Sequence, residues 1–151
     1  MSVRILTDRL ELVPIDRDVA NAFEHYTSRA KHIQSYLEKL QEDPELWGWG
    51  VWLVLQQDTR EVLGDIGFKG KPVDETVEVG YGFVPEARNK GYATESVRAL
   101  VQWAFSTKEV KQIMAECLGE NQASINVLEK LGMQRTDEKN DMIYWKLTRS
   151  E

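Results

Sequence analysis

The chain predicts a single α/β domain built around a mixed sheet. Three observations carry this: stretches with apolar residues at helical spacing, short runs rich in Val, Ile, Leu and aromatics between them, and no Ser/Gly tract, repeat or composition shift to divide the 151 residues. One domain spanning residues 1–151 is therefore expected, near the commonest domain size. With 42% hydrophobic and 29% charged residues, it can bury a sizeable core without disulfides or a structural metal.

Leu10–Val13 reads as a first short strand closed by Pro14. Val19, Phe23, Tyr26, Ala30, Ile33, Leu37 and Leu40 then alternate spacings of three and four, the stripe of one long helix or of two broken near Thr27 and Ser28. A coiled coil would need more heptads, so packing on a sheet is the expected use of that stripe. From Trp47 to Val84 the pattern changes to strands: GWGVWLVLQQ, EVLGDIGFKG and TVEVGYGFVP, with polar breaks at Gln57–Arg60 and Gly70–Glu75. Their short connections predict an antiparallel meander. Ala93, Val97, Leu100, Val101, Ala104 and Phe105 mark one face of a following helix, Gln112–Leu118 reads as a strand, and Gln122–Leu131 as a helix stopped at Gly132. Met133–Thr136 and Met142–Leu147 close the chain as two strands. The expected order is βααβββαβαββ, with strands joined through helices running parallel.

Nineteen basic against twenty-five acidic residues give a net charge of -6 and no run of Lys or Arg, which argues against nucleic acid as a partner. MSVRILTDRLELVPID at the start has no long apolar region, and no stretch approaches the roughly 18 apolar residues of a membrane span, so no membrane partner is expected. The single cysteine, Cys117, cannot form an internal disulfide and favours a reducing compartment, so a cytoplasmic protein is expected. His25 and His32 lie in a helical stretch without partners at metal spacing; they read as partly exposed helix residues, and no metal is assigned.

Between the strand ending at Val84-Pro85 and the helix reaching Phe105 lies Arg88-Asn89-Lys90-Gly91-Tyr92-Ala93. A loop entering a helix presents unpaired N–H groups and the positive end of the helix dipole, which suits a phosphate. Gly91 permits close backbone approach to a bulky anion, Ala93 permits tight packing, and Arg88 and Lys90 add countercharge. These six residues alone also fit an ordinary polar turn, and neither a Walker loop nor a G-x-G-x-x-G dinucleotide fingerprint is present.

RNKGYA is similar to the Q/R-x-x-G-x-G/A signature of the GNAT superfamily of N-acetyltransferases. VEVGYGFVPEA before it and NQASINVLEKLGM after it resemble the same superfamily, in its order and spacing. With TDRLELVPI at the start, the chain resembles the branch of ribosomal-protein N-terminal acetyltransferases. The resemblance covers nearly the whole chain, strongly between Gly64 and Met133 and weakly through Asp16–Leu40. It implies antiparallel N-terminal strands followed by two parallel central strands, here Thr76–Val84 and Gln112–Leu118, that splay apart between flanking helices. It also implies acetyl-CoA as cosubstrate. Pantetheine would enter the V against backbone near Phe83 and Val84, and the pyrophosphate would rest on N–H groups of Arg88, Asn89, Lys90, Gly91, Tyr92, Ala93 and Thr94. Asn121 would contact the pantetheine arm, and Asn126 and Lys130 would lie along the CoA side of the next helix.

Acetyl transfer to an amine needs a neutral amine, a polarised carbonyl and a protonated leaving thiolate. Glu78, an acid inside the apolar run VEVGYGF, is the expected base, because the superfamily often carries a glutamate facing the acceptor cleft on this strand. An exposed residue on the strand's polar face is the competing reading. The N–H of Phe83 or Val84 would hold the carbonyl oxygen. Many relatives carry a tyrosine acid on the last helix where this chain has Leu128, so Ser124 or water is the expected proton donor, although a serine in a first helical turn often bonds its own backbone. Cys117 reads as a buried, inert thiol, which favours direct attack in a ternary complex. Tyr36, Trp47, Trp49 and Phe68, with Leu37 and Trp52, are candidate walls of an acceptor pocket able to hold the stem of an amine, with core packing as the alternative for each.

The sequence thus points to an acetyl-CoA-dependent N-acetyltransferase acting on a primary amine, either a protein N-terminus or a small molecule, as a monomer or a β-edge homodimer. Two other classes remain open. One is a CoA-binding module without catalysis, prompted by the missing tyrosine; the other is an interaction domain using a Trp47–Trp52 patch.

Overall fold

In the computed structural model, which describes residues 3–150, the strands are β1 (Ile5–Leu6), β2 (Leu10–Pro14), β3 (Val51–Gln56), β4 (Val62–Phe68), β5 (Thr76–Phe83), β6 (Gln112–Leu118), β7 (Gln134–Lys139) and β8 (Met142–Thr148). They form one eight-stranded sheet in the order β1-β2-β3-β4-β5-β6-β8-β7. The helices are α1 (Arg17–Ala22), α2 (Glu24–Thr27), α3 (Lys31–Glu42), α4 (Tyr92–Ser106) and α5 (Gln122–Lys130). Among the described residues no helix is long and apolar enough to cross a membrane.

The meander strands are apolar on both faces, and that sets the layering. Trp52 and Val54 of β3 join the core formed with Val97, Leu100 and Ala104 of α4 and with Ile125 and Leu128 of α5. Leu53 and Leu55, pointing the other way, join Ile33, Tyr36 and Leu37 of α3. Each fully buried side chain of this size contributes about 1.5–3 kcal/mol, so neither face of the sheet is dispensable.

The helical stretch breaks between Thr27 and Lys31, near the foreseen position, and again at Phe23. Asp16 caps α1 by accepting from the Val19 N–H at 2.8 Å. The buried Thr27 hydroxyl donates to the Ala20 carbonyl at 2.7 Å, and this side-chain bond to backbone competes with a continuous helix. At the far end, α5 stops at Gly132, whose φ is +85°. The N–H of Gly132 bonds the Glu129 carbonyl and that of Met133 the Leu128 carbonyl, the two crossed bonds of a Schellman cap.

Three expectations need correction. A two-residue strand, β1, precedes the first foreseen one and pairs with it. β7 runs to Lys139 rather than Thr136 because it follows β8 along its length. Strands joined through helices run parallel for β5 and β6, which pair directly, and for β6 and β7, which both run antiparallel to β8 between them, but not for β2 and β3. The segment α1–α3 returns the chain to the end of β2 where it left, so Pro14 pairs with Trp52 and the Ile15 N–H with the Val51 carbonyl; the connection acts as a long hairpin and β2 and β3 are antiparallel.

The β5–β6 pair is short. It holds at Thr76 with Gln112, Val77 with Ile113 and Glu78 with Met114, and beyond these β5 stays with β4 while β6 stays with β8. The strands therefore part into a V that opens towards Phe83 and Leu118.

Two glycines of this region differ in what surrounds them. A Cβ on Gly67 would sit 2.0 Å from the Gly50 carbonyl oxygen, whereas one on Gly82 would meet nothing within 4 Å. Gly67→Ala should cost about 2–3 kcal/mol because backbone must move, lowering Tm by roughly 4–12 °C. Gly82→Ala should leave Tm unchanged, and thermal denaturation of the two variants side by side checks both.

Candidate active site

The site begins with the direction of the β5 backbone groups. The Lys69 N–H donates to the Glu78 carbonyl and the Val84 N–H to the Leu63 carbonyl, both at 3.0 Å, so even-numbered residues of this stretch face β4. Alternation turns the N–H and C=O of Tyr81 and Phe83 to the opposite edge, where β6 has moved away. Of the two N–H groups expected to hold a carbonyl oxygen, Val84's is therefore already committed to Leu63, and its carbonyl accepts from Ala87 at 3.0 Å. The Phe83 N–H faces the V, and the Tyr81 N–H joins it. The Phe83 carbonyl accepts from Arg88 Nε at 3.1 Å.

Two cavities open along this edge, one on each side of the sheet. The first, about 690 Å³, lies towards α4 and α5. Its lining includes Phe83, Arg88, Asn89, Gly91, Tyr92, Ala93, Thr94, Asn121, Ser124, Asn126 and Lys130, so most residues expected to meet CoA come together. Lys90 and Val84 are not part of this lining; Val84 lines the other cavity. Gly91 has φ +83° and Asn89 φ +63°, a left-handed pair of positions that turns the loop into the first turn of α4. The N–H groups of residues 89–94 have no acceptor among the described residues, which is the deficit an anion fills.

Arg9, which the sequence reading missed, fixes that loop. Its guanidinium donates to the Lys90 carbonyl at 2.9 Å, stacks 4.5 Å over the Tyr92 ring and pairs with Glu95 at 2.7 Å. Glu95 also accepts from the Thr7 hydroxyl at 2.6 Å and the Arg9 N–H at 3.0 Å. No local signal marked Arg9, which lies 86 residues before Glu95.

On α5, the Asn121 side chain caps the helix by accepting from the Ser124 N–H at 3.1 Å, and Asn126 accepts from Gln122 at 2.8 Å. The Ser124 hydroxyl faces Tyr81, which lines both cavities. Burial pushes the Tyr81 phenol above its usual value, the Ser124 hydroxyl partly offsets this, and the neighbouring Cys117 thiol adds to the rise. A tyrosine thus stands beside Ser124 from β5, although α5 carries the buried Leu128 instead.

The second cavity, about 710 Å³, lies on the α3 side. Gly50, Gly67, Gly80 and Gly82 leave its floor bare, and Tyr36 and Phe68 stand among its walls. The Tyr36 hydroxyl donates to the Ile15 carbonyl at 2.9 Å, and burial first, then the Asp16 charge, pushes its phenol up. The tryptophans do not line this cavity. Trp49 and Trp52 are 7% and 0% exposed and pack on Trp103 of α4 with ring centroids 4.9 and 5.1 Å apart, so they are core and offer no surface patch. Trp47 is half-buried.

Glu78 lines neither cavity. Its carboxylate is 2.5 Å from Lys69 Nζ, and that ammonium, 3.8 Å from Glu116 as well, lies at the edge of the α3-side cavity. The carboxylate inside that cavity is Asp65, which the sequence reading did not single out. It accepts from the Tyr26 hydroxyl at 2.6 Å and sits 2.9 Å from His32 Nε2. Burial, reinforced by the Asp65 hydrogen bond and charge, pushes the Tyr26 phenol up, so Tyr26 stays a neutral donor. His32 is an exposed helix residue, as expected, and is also a cavity residue with an acidic partner.

Residues 7–134 match a family model described as "Acetyltransferase (GNAT) domain". A curated relative, the uncharacterized N-acetyltransferase YjdG of Bacillus subtilis, is 34% identical over 100 residues, covering 65% of this chain and 59% of that one. The chain spans about half to three fifths of the first curated relatives it matches, 59%, 48% and 48% of their lengths. Among solved structures, a GNAT-family acetyltransferase from Bacillus anthracis superimposes with TM-score 0.75 at 23% identity, covering 97% of this chain and 98% of that one. RimL, a ribosomal L7/L12 alpha-N-protein acetyltransferase solved in complex with coenzyme A, gives 0.78 at 18% identity, with 97% and 98% covered. At these identities the superpositions establish a shared fold.

The anchorage of the loop has a pH signature. Burial raises the Glu95 carboxyl, but the Thr7 hydroxyl, the Arg9 N–H and the Arg9 guanidinium together outweigh it and hold the group below its usual 4.5. A depressed folded value stabilises fully above 4.5 and is lost as pH falls through the lower folded value. Glu95→Gln should therefore lower Tm at neutral pH and flatten its decline below about pH 4.5, as read by thermal denaturation across that range.

Proposed function

The chain belongs to the GNAT acetyltransferase family, and from that premise we propose that it transfers an acetyl group from acetyl-CoA to a primary amine by direct attack in a ternary complex. The observation that carries this reading is the shared edge. Tyr81, Gly82, Phe83 and Arg88 line both cavities, so a thioester laid along β5 from the α4 side presents its carbonyl to a nucleophile from the α3 side. Alignment of the two reactants in adjoining cavities supplies the main catalytic advantage, because bound, oriented partners avoid the entropy of a bimolecular encounter.

Diphosphate oxygens take the unpaired N–H groups of residues 89–94, with Arg88 and Lys130 as countercharge. The pantetheine arm completes the polar groups that β5 lacks in the V. The carbonyl oxygen is held by the N–H of Phe83 or Tyr81; one such donor is worth about 2.7–4 kcal/mol in the transition state. The amine nitrogen attacks the carbonyl carbon, the C–S bond breaks, and the thiolate takes its proton from the hydroxyl pair of Tyr81 and Ser124. Glu78 is the proposed proton acceptor, reached through water over the bare floor at Gly80 and Gly82. Lys69 holds its carboxylate in place. The tyrosine from β5 meets the objection that prompted a CoA-binding module without catalysis.

Calorimetric titration of acetyl-CoA, with ATP and NAD as controls, tests the cosubstrate. Gly91→Glu should abolish acetyl-CoA binding, because a side chain and a negative charge would then occupy the approach to the phosphates; retained affinity would remove the loop from this role.

Glu78→Gln should leave acetyl-CoA binding intact and lower kcat by about 10²–10⁴-fold if the carboxylate takes the proton. Steady-state kinetics with an amine acceptor decides it, and a kcat within a few-fold of the parent would exclude Glu78 as the base.

A further inference from the structure

Two carboxylates are buried among the described residues, Glu11 at 4% and Asp65 at 8% exposure. Their surroundings differ. Glu11 lies between two guanidiniums, Arg4 and Arg60. Asp65 pairs with no Lys or Arg among the described residues; its partners are the Tyr26 phenol and the His32 imidazole. A buried carboxylate is costly unless a positive charge accompanies it; the neutral phenol supplies none, and the imidazole supplies one only when protonated. Asp65 opens instead into the α3-side cavity.

Its position there is fixed by register. Asp65 pairs with Gly82 across β4 and β5, and cross-strand partners project to the same face. Gly82 contributes no side chain, and a Cβ built on it would meet nothing within 4 Å. The carboxylate therefore stands over open space beside the edge that both cavities share. Glu78, by contrast, already has its cation in Lys69.

We propose that Asp65 receives the protonated amine of the acceptor, so that the acceptor is a primary monoamine bound as its ammonium beside Gly82. This deepens the acetyl-transfer reading by naming the acceptor class, and it rests on that reading only for the fate of the bound amine. Tyr26 and His32 hold the carboxylate in the orientation that meets the ammonium. Lys39 and Arg88 also line the cavity, and their charges repel the second cation of a polyamine.

The test is direct binding. Phenethylammonium, its uncharged counterpart 2-phenylethanol and spermidine are titrated calorimetrically into the purified protein, separately from acetyl-CoA. The parent protein should bind phenethylammonium at least about 10-fold more tightly than the alcohol or spermidine. Asp65→Asn should weaken phenethylammonium by about 10–100-fold and leave 2-phenylethanol unchanged. Should the Asn variant fail to fold, Gly82→Leu, which fills the space beside Asp65 and keeps the carboxylate, should eliminate phenethylammonium binding. Equal affinity for amine and alcohol, tighter binding of spermidine, no amine binding at all, or unchanged amine binding in either folded variant would overturn the proposal. If the amine docks as described while acetyl-CoA does not bind, the acetyl-transfer reading falls and the ammonium site stands.

Discussion

The parting of β5 from β6 after Glu78 and Met114 is the constraint on which the rest depends. A central strand normally satisfies its backbone on both edges, and an orphaned buried N–H or C=O costs about 1–3 kcal/mol. From Tyr81 to Phe83, β5 keeps one edge on β4 and leaves the other without a strand. That deficit can be sustained because the rest of the sheet is held elsewhere: β4 by β3, β6 by β8, and both faces by packed helices. What the V lacks is a third partner with amide groups at strand spacing, and the pantetheine arm has that chemistry.

The period of two in a strand then divides the labour. Odd-numbered residues of β5 direct their polar backbone into the V and place the Tyr81 and Phe83 side chains on the α4 side, against the core. Even-numbered ones direct Glu78, Gly80 and Gly82 to the α3 side, where two successive glycines leave room for a substrate. In the proposed reaction a single strand thus serves as oxyanion donor, cofactor wall and acceptor floor. A one-residue slip would exchange every one of these roles, which ties the chemistry to the β4–β5 register.

Much of this was legible in the sequence where the signal is local. The loop Arg88–Ala93 reads as an anion site once its resemblance to the superfamily signature is added to Gly91 and the following helix start, and the meander reads from its runs of Val, Ile, Leu and aromatics between polar breaks. What escaped was set by contacts distant in sequence. Asp65 meets Tyr26 and His32 across 39 and 33 residues, and Arg9 reaches Glu95 across 86. The tryptophans misled because bulk and clustering suit a pocket wall and a core equally well; only the position of Trp103 on α4 places them inside. Asp65 did carry a signal of the kind that drew attention to Glu78, an acid within an apolar strand, VLGDIGF. Without the register pairing it to Gly82, nothing ranked one above the other.

The two cavities also draw on different parts of the chain. The α4-side cavity is built from Tyr81 to Lys130, within the span whose motifs are strongest. The α3-side cavity takes Tyr26, His32, Ser35, Tyr36 and Lys39 from α2 and α3, the stretch where resemblance is weakest. These short helices are held to the sheet by a separate apolar cluster of Ile15, Ile33, Leu37, Leu53 and Leu55. Their inward residues can therefore change without disturbing β5 or the loop before α4. On the proposed reading, acceptor choice and cofactor use are mechanically separable in this fold, so the fold alone does not name the amine and the proposal turns to the charge pattern around Asp65.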